Sequence, residues 1–302
     1  MTDINDIKAK PDWVSSKLYP FDSRYFETSR GHIHYVDEGV GTPIVFVHGN
    51  PSWSFEYRHL IVALRNDYRC IAPDHLGFGL SERSRDKADY HPEAHADNFA
   101  ALMEHLNLNQ VTLVFSDWGG PIALDFARKH PERVAGLVIL NSWCWPVDTD
   151  RHFVRFSAMM SSWPMQFLIK RFNFFVTQVT PKAVGNPAIL TKEVMAHYIN
   201  AQPNPESRAA SAALPGYIVG ATDWLRQIWN DRAAFTDKPA LIIWGHKDIA
   251  FRRKELETWQ AELKDCTVHE LPECGHFLAE EAPEVVTAHI RAFVGKQEAA
   301  AL

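Results

Sequence analysis

The chain of 302 residues is long enough to bury a large core, and 46% hydrophobic with 23% charged residues is the composition of an ordinary globular protein, best accommodated as one large domain with an insertion. Its formal net charge of −6 comes from both signs spread along the chain, with no basic run to follow a phosphate backbone, which excludes nucleic acid as a partner. No apolar run reaches the length of a membrane span, residues 1–17 lack the parts of a signal peptide, and Cys70, Cys144, Cys266 and Cys274 show neither a CxxC pair nor metal-ligand spacing, so the expectation is a cytoplasmic protein with reduced thiols, no metal and no cofactor.

Apolar and polar residues alternate around Ser29-Arg30-Gly31, which predicts an antiparallel hairpin over residues 25–37. The continuously apolar Ile44-Val45-Phe46-Val47 suits a strand covered on both faces and ends in His48-Gly49-Asn50-Pro51. A helix (56–64), a buried strand (68–72), the turn Asp74-His75-Leu76-Gly77-Phe78-Gly79-Leu80-Ser81, a helix (92–106) and a strand (110–115) follow. The Asp74 turn lacks the Lys-Ser/Thr of a phosphate loop and the spacing of a dinucleotide fingerprint, so it reads as a support for the His48 loop. Beyond Asp117-Trp118-Gly119-Gly120 come a helix (121–129) and a sixth strand (134–140). This succession predicts an α/β fold, a mostly parallel central sheet flanked by helices. Residues 145–232, rich in Trp, Phe, Met and Pro at helical spacing, predict a helical insertion. A strand (238–244), a helix (254–263), a strand (267–271) and a last helix re-enter the sheet, with residues 298–302 as a frayed end. The expected division is a core of residues 1–145 and 233–302 with a cap of residues 146–232.

Asp117, Asp248 and His276 each fall just after a strand, at the carboxyl edge where ligands meet open α/β sheets. Asp117 lies on a strand-to-helix turn, which pushes one side chain out above the sheet. Singly, Asp117 reads as well as a helix N-cap, His276 as a turn residue and Asp248 as a surface charge. Together, in the order nucleophile, acid, histidine, they point to catalysis.

The motifs His48-Gly49-Asn50-Pro51-Ser52-Trp53-Ser54, Asp74 to Ser81, Asp117-Trp118-Gly119-Gly120 and Gly275-His276-Phe277-Leu278 in combination resemble the haloalkane dehalogenases of the α/β-hydrolase superfamily. The resemblance covers the sheet domain on both sides of the insertion. It implies an α/β-hydrolase fold with a helical cap and hydrolysis of small haloalkanes to alcohol and halide through an alkyl ester on the enzyme. Asp117 would be the nucleophile, His276 the base and Asp248 the acid that orients the histidine. Asn50 and Trp118 would hold the halide through their side chains and form the oxyanion hole through their backbone N–H groups. The chemistry agrees: a carboxylate attacking an sp³ carbon leaves an ester that water can cleave, where a serine would leave an inert ether. Asp117 needs no base to be ionised, so His276 serves the attacking water instead. The departing halide needs N–H donors in a dry pocket.

Two departures are notable. Phe115 replaces the small residue of the general elbow pattern, and Asn141 stands after strand six where one large branch of the family has glutamate. Asp248 after strand seven then serves as the acid, as in the branch with an Asn–Trp halide pair. The pocket is expected between sheet and insertion, with Trp143, Trp145, Phe153, Phe156, Met159, Trp163, Phe167, Leu214 and Phe277 as walls and Pro215 beside the halide. The expected partners are a small halogenated alkane, water and halide ion, with no membrane and an open oligomeric state. An epoxide hydrolase is the nearest alternative. That family protonates its alkoxide with two cap tyrosines, for which the insertion offers Tyr198 and Tyr217, but Asn50 stands where it commonly has an aromatic residue. Fluoroacetate dehalogenases carry an arginine pair beside the nucleophile that is missing here. A non-catalytic binding protein for an apolar ligand is the alternative of another class; such proteins usually lose a triad member, and this chain keeps all three.

Overall fold

Residues 9–301 are described by the computed structural model; residues 1–8, part of the N-terminal segment considered above, and Leu302 lie outside the described residues. β1 (Arg24–Thr28) and β2 (Gly31–Glu38) form the expected hairpin, with Thr28 paired to Gly31. With β3 (Pro43–Val47), β4 (Arg69–Pro73), β5 (Val111–Asp117), β6 (Val134–Ser142), β7 (Ala240–Gly245) and β8 (Cys266–Leu271) they make one sheet in the order β1-β2-β4-β3-β5-β6-β7-β8. β1–β2 and β2–β4 are antiparallel; all other pairs are parallel.

The continuous apolar runs follow from burial on both faces. Ile44, Phe46, Val114, Val138, Leu140, Leu241 and Ile243 enter one core cluster, and the alternate residues Val45, Val47, Leu113, Phe115, Leu137, Ile139 and Ile242 the other. Each such side chain contributes about 1.5–3 kcal/mol when fully buried. On the first face pack α1 (Arg58–Leu64), entered through a tight 3₁₀ turn at Ser54–Tyr57, and the last helix; on the second pack α2 (Pro92–His105) and α3 (Gly119–Lys129).

Between β6 and β7 the described residues form helices only: α4 (Arg151–Ser161), α5 (Trp163–Phe172), a π-helical turn at Phe175–Val179, α6 (Thr180–Ala183), α7 (Lys192–Asn200), α8 (Ala209–Gly220), α9 (Thr222–Asn230) and α10 (Ala233–Thr236). Then α11 (Arg253–Glu262) precedes β8, and α12 (Leu278–Glu281) and α13 (Pro283–Ala301) close the chain, so the expected fray at residues 298–301 is the regular end of a helix. Arg58 on α1 pairs with Glu280 on α12, which also accepts from Tyr198 Oη on α7 at 2.6 Å; a buried charge pair thus ties the insertion to the sheet layer. No helix among the described residues is long and apolar enough to cross a membrane.

Candidate active site

Asp117 ends β5 with φ +47°, a left-handed conformation that costs a non-glycine residue about 1–2 kcal/mol and aims its side chain away from both strand and helix. The surroundings fix it there. Any Cβ on Gly49 would lie 2.3 Å from the Asp117 Cβ, and one on Gly119 would lie 2.0 Å from the Val47 carbonyl oxygen, so both positions admit only glycine. That closeness lets the Asn50 backbone N–H donate to Asp117 Oδ1 at 2.8 Å, with the Trp118 backbone N–H as a second donor to the carboxylate. The Asp74 turn supports the same loop. Asp74 accepts from Ser54 N and Leu80 N and bonds the buried His34, while His75 donates two hydrogen bonds to His48, from its backbone N–H to Nε2 at 3.0 Å and from its Nε2 to the carbonyl at 2.9 Å.

His276 Nδ1 donates to Asp248 Oδ2 at 2.8 Å, which fixes the tautomer and turns Nε2 toward Asp117 Oδ2, 4.0 Å away. Asp248 is itself held: Oδ1 accepts from Ala250 N at 2.7 Å and Oδ2 from Asn141 Nδ2 at 2.8 Å. Asn141 is fully buried at φ +39° and also bonds both backbone groups of Gly245. Sequence reasoning noted this residue only as a missing glutamate; its role as the clamp on Asp248 was not foreseen. Glu281, also missed, accepts from Gly275 N, Phe277 N and Gly185 N and so braces the His276 loop, while Phe251 stacks on the imidazole at 5.7 Å. Nothing in the local sequence marks either as part of the site.

Burial raises the Asp117 pKa, an effect opposed by His276 and the two backbone donors. For His276 burial acts to lower the pKa, but the anions around it, Asp248 first and then Asp117 and Glu56, push it up to about 9. The resting ring is therefore an imidazolium flanked by carboxylates. It becomes a base when one of those charges is removed.

A family model described as alpha/beta hydrolase fold matches residues 42–283. Haloalkane dehalogenase 2 of Mycobacterium tuberculosis is 45% identical over 276 residues, 91% of this chain and 95% of its own length. The chain belongs to the haloalkane dehalogenase family. Among solved structures, the haloalkane dehalogenase DatA from Agrobacterium tumefaciens C58 matches with a TM-score of 0.81 at 26% identity, over 94% of this chain and 100% of that one. An ancestral haloalkane dehalogenase matches with a TM-score of 0.82 at 26% identity, over 91% and 99%. A more distant relative, a cis-3-alkyl-4-alkyloxetan-2-one decarboxylase of Shewanella oneidensis, is 34% identical over 93% of this chain and 91% of its own length.

In this haloalkane dehalogenase Asp117 and His276 open onto a cavity of about 100 Å³ between the sheet and the insertion, with Asp248 bonded to the Nδ1 side of the imidazole. Of the expected walls, Trp143, Phe153, Phe156, Pro215 and Phe277 line it, together with Asn50 and Trp118. The others are corrected. Met159, Trp163 and Phe167 are exposed to solvent, because α4 presents His152, Phe153 and Phe156 inward and therefore Arg155 and Met159 outward, and α5 lies beyond it. Trp145 packs between Trp229 and Trp259, and Leu214 is buried in the core beside the pocket-facing Pro215. Walls not anticipated come from the π-helical turn (Phe175, Val179), from α8 (Ile218) and from the loop after β7 (Ile249, Ala250, Phe251).

Two polar features of the cavity suit an anion. No acceptor among the described residues takes the Trp118 indole N–H, although the residue is 2% exposed. Asn50 Nδ2 donates one hydrogen to the Ser211 carbonyl at 3.2 Å, which leaves its second hydrogen free. That carbonyl is available because Pro215, four residues on inside α8, has no N–H to give it. The tyrosines considered for an epoxide hydrolase lie elsewhere: Tyr198 is engaged with Glu280, Tyr217 packs against His91, and neither lines the cavity.

Proposed function

We propose that the protein hydrolyses small haloalkanes to alcohol and halide in two steps, through an alkyl ester on Asp117. The observation that carries this reading is the division of labour at one carboxylate. Oδ1 is held by the Asn50 backbone N–H, while Oδ2 is left to attack and faces a base too far away to bond it directly. In the first step Oδ2 bonds to the halogen-bearing carbon, and the halide leaves with the bonding electrons toward the Trp118 indole and the Asn50 amide. Esterification removes the Asp117 charge, and the His276 pKa falls from its resting position near 9. In the second step Nε2 takes a proton from water as its oxygen adds to the Asp117 carbonyl carbon. The resulting oxyanion at Oδ1 receives the Asn50 and Trp118 N–H groups. Collapse expels the alkoxide, which takes the proton of the added hydroxyl, and leaves the Asp117 carboxylate beside the imidazolium, the one net proton of the reaction having left the ring for solvent after esterification. Asp248, clamped by Asn141, stabilises the imidazolium.

The division into a core of residues 1–145 and 233–302 and a cap of residues 146–232 follows from this chemistry, with triad and oxyanion donors on the core and Pro215, Phe153 and Phe156 supplied by the cap. Against the epoxide-hydrolase reading stands the absence of a tyrosine pair from the cavity.

The deciding experiment measures bromide release from 1-bromobutane and 1,2-dibromoethane by the wild type and Asp117→Ala, in parallel with turnover of styrene oxide and a cis-3,4-dialkyl oxetan-2-one. Bromide release that Asp117→Ala abolishes is the expected result. Diol without bromide would move the assignment to epoxide hydrolysis, alkene with carbon dioxide to the decarboxylases, and inactivity on all four to a binding protein.

A further inference from the structure

The outer face of α4 and α5 carries features that the pocket does not use. Met159, Trp163, Phe167 and Phe172 are 51%, 81%, 56% and 57% exposed. Trp163 and Phe167 lie a turn apart on α5 and the Phe167 and Phe172 rings are 6.0 Å apart, so these three form one patch, with Met159 exposed on the last turn of α4 just before it. Single exposed apolar side chains are ordinary, but a contiguous group with an indole in it marks an interaction surface.

The charge on the same segment is one-sided. Residues 151–192 contain Arg151, Arg155, Lys170, Arg171, Lys182 and Lys192 and no Asp or Glu, in a chain whose net charge is −6. Arg155 lies one turn from Met159, and Lys170 and Arg171 lie one turn from Phe167. Among the described residues none of these three pairs with a carboxylate, and Arg171 stacks on the Phe172 ring at 5.4 Å. Exposed aromatic residues rimmed by unpaired cations are the composition of a helix that lies in a membrane interface.

We propose that the outer face of α4 and α5 docks on an anionic lipid surface, its aromatic residues entering the headgroup boundary while Arg155, Lys170 and Arg171 meet the lipid phosphates. This revises the expectation of no membrane partner; docking needs no crossing helix. A second copy of the chain is a poorer occupant, because a twofold pairing of this face sets its cations against themselves. Docking also has a use, which rests on the function proposed above. The inner side of α4 lines the pocket through His152, Phe153 and Phe156, so an apolar substrate dissolved in lipid would lie one helix away from its site.

The test is flotation of the full-length protein with vesicles of phosphatidylcholine alone or mixed with phosphatidylglycerol. The wild type is expected to float with the mixed vesicles, less so as salt is added, and Trp163→Ala with Phe167→Ser to weaken the binding. The triple variant Arg155→Gln, Lys170→Gln, Arg171→Gln is expected to lose about 100-fold in partitioning, about fivefold per charge. All variants should keep the wild-type melting temperature and turnover of a dispersed bromoalkane, because none of these side chains touches the pocket. A wild type that floats with neither vesicle, or a triple variant that floats as well as the wild type, would overturn the proposal. A dimer that Trp163→Ala dissociates would overturn it in favour of a second copy. Flotation is read without turnover, so it stands or falls separately from the dehalogenase assignment.

Discussion

Replacing His276 by alanine separates the two proposed steps. Nε2 is 4.0 Å from Asp117 Oδ2, whereas the other imidazole lining the cavity, His152, is fastened by Nε2 to the Ala250 carbonyl at 3.0 Å and has no contact with Asp117. A positioned general base is worth about 10²–10⁴-fold, so hydrolysis of the ester should slow by at least about 100-fold. Alkylation should continue, because Asp117 keeps the Asn50 and Trp118 donors and the halide keeps its own. Mixing the variant with excess 1,2-dibromoethane should therefore release one bromide per active site and then nearly stop. Intact-mass spectrometry should find one bromoethyl group on the protein, and peptide mapping should locate it on Asp117. Steady turnover at the wild-type rate with no mass increase would refute the reasoning.

Three other outcomes are expected. Trp118→Phe removes the unpaired indole donor while keeping the aromatic contact with Trp143, and should cost about 10²–10³-fold in the single-turnover rate of bromide release. Asn141→Ala leaves the Gly245 N–H and one Asp248 bond without a partner in a fully buried place, about 1–3 kcal/mol for each unsatisfied group, which chemical denaturation would measure. The pH dependence has a definite sign. Because the folded His276 is raised to about 9 from about 6.5 in the unfolded chain, its contribution to stability is complete below about pH 6.5 and is lost as pH rises through 9. The hydrolytic step, which needs the neutral ring, accelerates with rising pH over a lower range than that, because esterification of Asp117 takes a negative charge away from the ring and lowers its pKa. Asp248→Asn should lower that pKa, move the rate limb to lower pH and flatten the loss of melting temperature at high pH.

The sheet and the reactive trio could be read from the sequence for a physical reason. Parallel strands covered on both faces appear as unbroken apolar runs, and the residues that leave them at the carboxyl end must lie at one edge. The walls of the pocket could not be read that way. Which face of α4 looks inward depends on where the helix starts, set here by the Asp150 side chain accepting from the His152 N–H at 3.0 Å, and aromatic composition is the same on either face. Met159 faces solvent for that reason, and Trp163 and Phe167 because α5 lies beyond α4. Asn141 escaped because its importance comes from a hydrogen bond to a residue 107 positions away. The freeing of the Ser211 carbonyl was present in the sequence as Pro215, but the donor it accepts from, Asn50, lies on another layer of the fold.

The backbone of His276 is fastened to the insertion: its N–H donates to the Ala183 carbonyl at 2.8 Å, and Glu281 joins Gly185 N to Gly275 N. The insertion is thus no detachable cassette. A chimera that imports a foreign segment across residues 183–185 would move the loop that aims the imidazole, even with every triad residue retained. Recombination among relatives should succeed where its crossovers keep Ala183, Gly185, Gly275 and Glu281 from a single parent, and fail in the second chemical step where they do not.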